Sequence, residues 1–218
     1  MAERERVVVV FDAVSDPAAF AQVAASLAQA MNAELYGVFL EEADSLAMAE
    51  LPFTSVVDTR GQLRPLGKET LEAAWRAAAS KARERLNRAA EQAHLPWAFV
   101  VMRGRLAAAM QQSPGARATL VGSGRRTTAR AAPVVVASSQ ERASAITNRI
   151  TALLPAGPMP SVCLLEATAR DPAQRAMELC ELRHPPLLIL STADPLWGES
   201  ALEALRKQAT LPILVLEA

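Results

Sequence analysis

Four consecutive valines and a phenylalanine, Val7 to Phe11, run into Asp12 and then into a helix of small residues. A run apolar on both faces is suited to the interior of a parallel sheet. Open α/β sheets build their ligand crevices at the carboxyl ends of such strands. A second run, Thr119-Leu120-Val121, ends in Gly122-Ser123-Gly124. Strand and helix patterns alternate through most of the chain. The expected fold is therefore α/β, with a doubly wound, mostly parallel sheet.

Local signals place the elements. After the first strand, Ser15-Asp16-Pro17 offers cap residues with proline in the first helical turn. Phe20, Val23, Ala24, Leu27 and Met31 recur on one helical face, and Asn32 ends the helix. Ala33 to Leu40 is the next strand. Residues 43–67, punctuated by Pro52, Gly61, Pro65 and Gly67, read as a long surface connection. A long amphipathic helix then spans Lys68 to Ala93, its outer face mixing Arg76, Lys81, Arg83, Glu84, Arg88 and Glu91. Strands follow at Pro96 to Met102 and Ala118 to Val121, with a short helix from Leu106 between them. The pattern restarts at Pro133-Val134-Val135-Val136. Helices are expected near 140–154, 171–183 and 197–209, and strands at 161–165, 186–190 and 212–216. The chain thus divides into a β/α half at 1–125, a linker at 126–132 and a second, degenerate β/α half at 133–218. Each half has four strands, as in a weak repeat.

Length and charge narrow the function classes. A chain of 218 residues is ample for a sizeable core. Zero net charge argues against nucleic acid as the main partner. The mixed charges of the long helix argue the same way. No apolar run approaches the roughly 18 residues that span a bilayer, and Met1 to Arg6 has no signal-peptide character. Cys163 and Cys180 lack metal or redox spacing and read as small buried hydrophobes in a reduced, cytoplasmic setting. His94 and His184 fall near helix C-termini and have no ligand-spaced companion, so no metal site is assigned. Ser123, Ser138, Ser139 and Ser191 lie near strand ends, but no G-x-S-x-G elbow surrounds them, which excludes a serine hydrolase.

The strand-Asp-helix-strand opening, the long amphipathic helix and the strand ending in Gly122-Ser123 resemble the universal stress protein family. So does the closing pair, Leu187 to Ser191 and Leu211 to Leu216. More narrowly, Leu51-Pro52-Phe53-Thr54 and Trp97 to Gly104 look like a bacterial subgroup with two stress-protein-like halves. The resemblance implies an adenine nucleotide alpha hydrolase-like fold, a role in stress response, ATP or AMP as ligand in many members, and dimerisation, often through the last strand. The first half lacks a final helix and strand before the second begins. The second half is expected to supply that missing edge.

What the resemblance implies for site residues is partial. Asp12 matches the family acid that meets the nucleoside, and Val38 falls in the strand whose backbone meets the adenine. Gly122 matches the first glycine of the phosphate loop, followed by Ser123 and Gly124. Arg125, however, stands at the second glycine position, and Val135 falls where the family has Gly-Ser or Gly-Thr. In the second half, Ser191-Thr192-Ala193-Asp194-Pro195 replaces the glycine loop, and Asp194 puts negative charge where phosphate would sit. Glycines let phosphate approach a cradle of backbone N–H groups; an arginine does not supply that shape.

Several readings stay open. Asp12 is either a nucleoside contact or a helix-entry acid without a ligand. Arg125, Arg126 and Arg130 either replace the phosphate loop or form a solvated linker, the preferred reading because charge runs are usually surface. Arg103 and Arg105 border the crevice or, the preferred reading, simply flank a turn at Gly104. Trp197 stacks on a ligand or, preferably, packs on the core. With no catalytic set visible, the expectation is a non-enzymatic, cofactor-free module acting through a protein partner or as a homodimer. The alternative is a residual ATP or AMP binder using Asp12, Val38 and the Gly122 loop.

Overall fold

The computed structural model describes residues 5–13, 16–51, 54–57, 61–65, 67–111, 115–121, 132–153, 159–166, 171–183, 185–209 and 211–217. The first half contains β1 (Arg6–Phe11), α1 (Pro17–Met31), β2 (Glu34–Glu42), α2 (Ala43–Ala49), β3 (Ser55–Val57), β4 (Leu63–Pro65), α3 (Lys68–Ala93), β5 (Trp97–Gly104), α4 (Leu106–Gln111) and β6 (Ala116–Val121). The second contains β7 (Val134–Ala137), α5 (Gln140–Leu153), β8 (Ser161–Leu164), α6 (Pro172–Arg183), β9 (Leu188–Ser191), α7 (Glu199–Gln208) and β10 (Ile213–Leu216).

Eight strands form one mostly parallel sheet in the order β5-β2-β1-β6-β10-β9-β7-β8. The missing edge is filled as expected, because β10 lies beside β6. It runs antiparallel, pairing Ile213 with Val121 and Leu216 with Ala118. Every other ladder in this sheet is parallel. The expected repeat does not extend to topology. In the first half the second and third strands lie to one side of the first, and the fourth to the other. In the second half, β8 alone lies to one side of β7, with β9 and β10 on the other.

Alternation along the strands sorts side chains onto two faces. Val7, Val9 and Phe11 pack under α1 and α3, in a core that continues through Leu120 and Leu214 to Ile146 and Ile150 of α5. On the other face, Val8, Val10, Val38 and Leu40 meet Leu106 and Ala109 of α4. Val134, Leu188, Ile213 and Val215 meet α6 and α7 there. The result is three layers. Near the junction of the halves, Arg149 of α5 donates to the carbonyls of both Glu217 (2.6 Å) and Arg117 (3.2 Å).

The caps are local. Asp16 accepts the Ala18 N–H at 3.1 Å, ahead of Pro17 at the helix start. Asn32 and His94 close α1 and α3 in the left-handed region, with φ of 50° and 52°. The long connection carries more structure than expected. It holds α2 and a separate antiparallel hairpin, with Ser55 opposite Pro65. Most of the expected linker, His184 and Pro52-Phe53 lie outside the described residues.

Candidate functional site

Each half has a point where the strand order reverses, and ligand crevices of open α/β sheets form there. In the first half it lies between the carboxyl ends of β1 and β6. Asp12 sits at that position, directly after Phe11. Val38 is fully buried in mid-strand, in register with Val10 and Val100. Gly122, Ser123, Gly124 and Arg125 lie outside the described residues.

The antiparallel junction determines what covers Asp12. Because β10 runs against β6, its start lies beside the end of β6, and α7 leads into that start. The last turn of α7 therefore sits over the carboxyl ends of the first-half strands. From that turn Arg206 enters the crevice. Its side chain is only 6% exposed, with Nη1 3.7 Å from the Asp12 carboxylate and Nη2 3.4 Å from Glu203. Nη2 also donates to the carboxylate of Glu42, at the end of β2. Burial opposes the guanidinium's charge, but Glu42, Glu203 and Asp12 together hold its pKa above the ordinary range. Arg206 Nε and Glu203 Oε2 are buried without hydrogen-bond partners among the described residues.

A more exposed ring of ion pairs surrounds this cluster. Lys207 lies 3.5 Å from Asp44, and Arg105 lies 3.4 Å from the same carboxylate. Arg105, and then Lys207, hold the Asp44 carboxyl below its usual range. Arg103 contacts Glu41 at 2.9 Å and Glu72 at 3.4 Å. Arg105 thus connects through Asp44 to Lys207 of α7, while Arg103 is paired with Glu41 and with Glu72 of α3; exposed pairs of this kind contribute little to stability. Behind Asp12, toward α3, Phe11, Pro17, Ala78 and Lys81 help line a cleft of about 270 Å³.

The second reversal lies between β7 and β9. Here Asp194, 1% exposed, occupies the position facing the α5 N-terminus. Its Oδ2 accepts the Ser138 N–H at 2.7 Å, and its Oδ1 accepts the Leu196 N–H at 3.1 Å. Ser139 Oγ accepts the Arg142 N–H at 3.3 Å, while the Arg142 guanidinium donates to the Ala193 carbonyl. A neighbouring cleft of about 340 Å³ is lined by Glu141, Arg142, Ile146, Ser191 and Asp194, among others. Trp197 is buried, and its Nε1 donates to the Val136 carbonyl at 3.3 Å, a core position.

Both crevices thus hold charges supplied by the chain itself: Arg206 among three carboxylates in the first, and Asp194 in the second. Asp12 and Asp194 are conspicuous from sequence because each follows a buried strand. Arg206 and Glu203 are not, since they read as ordinary polar positions of an amphipathic helix. The only local signal is their spacing of one helical turn. Among the described residues, no group of three or more His, Cys, Asp or Glu side chains is arranged to hold a metal ion. No described helix is long and apolar enough to cross a membrane. No protein-family model matches the chain, and no curated protein matches it.

Proposed function

We propose that this protein is a universal-stress-protein-like module without catalytic activity, acting through protein contacts or self-association. One observation carries this reading: at both switch points the chain's own groups already engage the acid near the strand end, Asp12 by the Arg206 guanidinium and Asp194 by the Ser138 and Leu196 N–H groups. A ribose hydroxyl reaching Asp12 would compete with the buried Arg206 guanidinium, whose Nη1 lies 3.7 Å from that carboxylate. A phosphate entering beside Asp194 would meet a buried negative charge already holding the Ser138 N–H. Each displaced charge-assisted bond costs about 1.5–3 kcal/mol, enough to weaken binding by orders of magnitude. The reading places the protein in the cytoplasm, where buried free thiols such as Cys163 and Cys180 stay reduced.

The test is calorimetric titration of the full chain with ATP and with AMP, each with and without magnesium. No binding up to millimolar nucleotide is expected. Micromolar binding that Asp12→Ala abolishes would overturn the reading. One observation favours the second reading, a residual ATP or AMP binder: the cleft behind Asp12 has an alanine wall from α3 on which a flat ring could lie.

A further inference from the structure

The two ends of the sheet are built differently. At one end β8 has only four residues and follows Pro160. Shortness and proline are common guards against edge pairing. At the other end β5 has eight residues, Trp97 to Gly104, with Arg103 its only charge. All eight pair with β2 or its flank on the inner side, and β5 ends the sheet among the described residues. Val101 is 52% exposed.

The ladder defines which backbone groups face outward. The Leu35 N–H donates to the Pro96 carbonyl at 2.9 Å, and Leu35 is in register with Trp97. In a parallel ladder this turns the backbone of Ala98, Val100 and Met102 toward β2. The N–H and C=O groups of Trp97, Phe99, Val101 and Arg103 therefore point away from the sheet.

We propose that β5 is the interface for a second copy of this chain, paired antiparallel about a two-fold axis at Val100. This surface is self-complementary in one register. Trp97 of one copy lies opposite Arg103 of the other, and Phe99 lies opposite Val101. Every outward N–H and C=O of the four residues then has a partner. Shifting the register by two residues leaves one of them unpaired on each copy. The side-chain pairs agree with the backbone: Arg103 meets the Trp97 ring, and an aromatic ring meets a β-branched residue. On the opposite face Val100 meets Val100 and Ala98 meets Met102, with no like charges opposed. A two-fold axis closes this contact at two copies and continues the sheet across both.

This deepens the self-association reading above, but it rests on the edge strand and has its own test. Sedimentation equilibrium of the full chain at micromolar concentration should give a dimer. Val101→Lys puts a charge opposite Phe99 twice per dimer and should weaken association about 30-fold. Leu164→Lys, on the β8 edge, should not. Val100→Cys should form an intermolecular disulfide on oxidation, because the two positions face each other across the axis at about 4.5 Å between Cα atoms. Val101→Cys should cross-link far less. A monomeric wild type would overturn the interface while leaving the nucleotide-free reading intact. A dimer indifferent to Val101→Lys, with Val100→Cys uncross-linked, would equally overturn it.

Discussion

Arg206 holds together charges from three elements: Asp12 after β1, Glu42 at the end of β2 and Glu203 on α7. Removing a buried guanidinium leaves its carboxylates facing one another, which is more damaging than losing the pair as a whole. Arg206→Met should therefore cost about 3 kcal/mol, read from the urea midpoint. Asp194→Ala should cost about 2 kcal/mol by the same measurement, because it strands the half-buried N–H of Ser138 and the buried N–H of Leu196. Cys180 gives a pH dependence. Burial, with neighbouring Cys163 adding to it, raises its thiol from 9.0 to about 11. The folded state thus favours the neutral thiol, and this contribution is complete below the unfolded value. Stability should fall as pH rises from about 9 toward about 11. Cys180→Ala should flatten that part of the stability curve; an unchanged slope would reject the assignment.

At the scale of elements, the close packing of α3 on β2 depends on one glycine. A Cβ on Gly37 would lie 2.5 Å from Leu86 Cδ2 and 2.6 Å from Phe99 Cδ2. Gly37→Ala should cost about 1–3 kcal/mol through overpacking, seen as a lower thermal midpoint. The core strands and long helices were legible in the sequence because their signals are local. Val7 to Phe11 and Leu187 to Leu190 are continuous apolar runs, and α3 keeps a helical stripe through Trp75, Ala82, Leu86 and Ala89. The β3–β4 hairpin was not legible. Its strands are only three residues each, too short to show an alternating pattern.

Across the whole molecule, the decisive feature is the direction of β10. Had it run parallel to β6, α7 would end at the opposite side of the sheet, and Arg206 would not reach Asp12. Nothing local in Ile213 to Leu216 encodes that direction, since an apolar strand reads alike in either orientation. Asp12 was therefore legible, while its association with Arg206, Glu42 and Glu203, including the contact from Glu42 to Arg206 across 164 residues, depended on the tertiary fold. The same junction makes the halves one sheet, so heat or urea should unfold them in a single transition. The most direct test is a double-mutant cycle between Asp12→Asn and Arg206→Met, read by urea unfolding. If Arg206 fills the Asp12 crevice, the two changes should couple by about 1 kcal/mol or more. Costs that add to within about 0.5 kcal/mol would mean that the halves do not close on each other there.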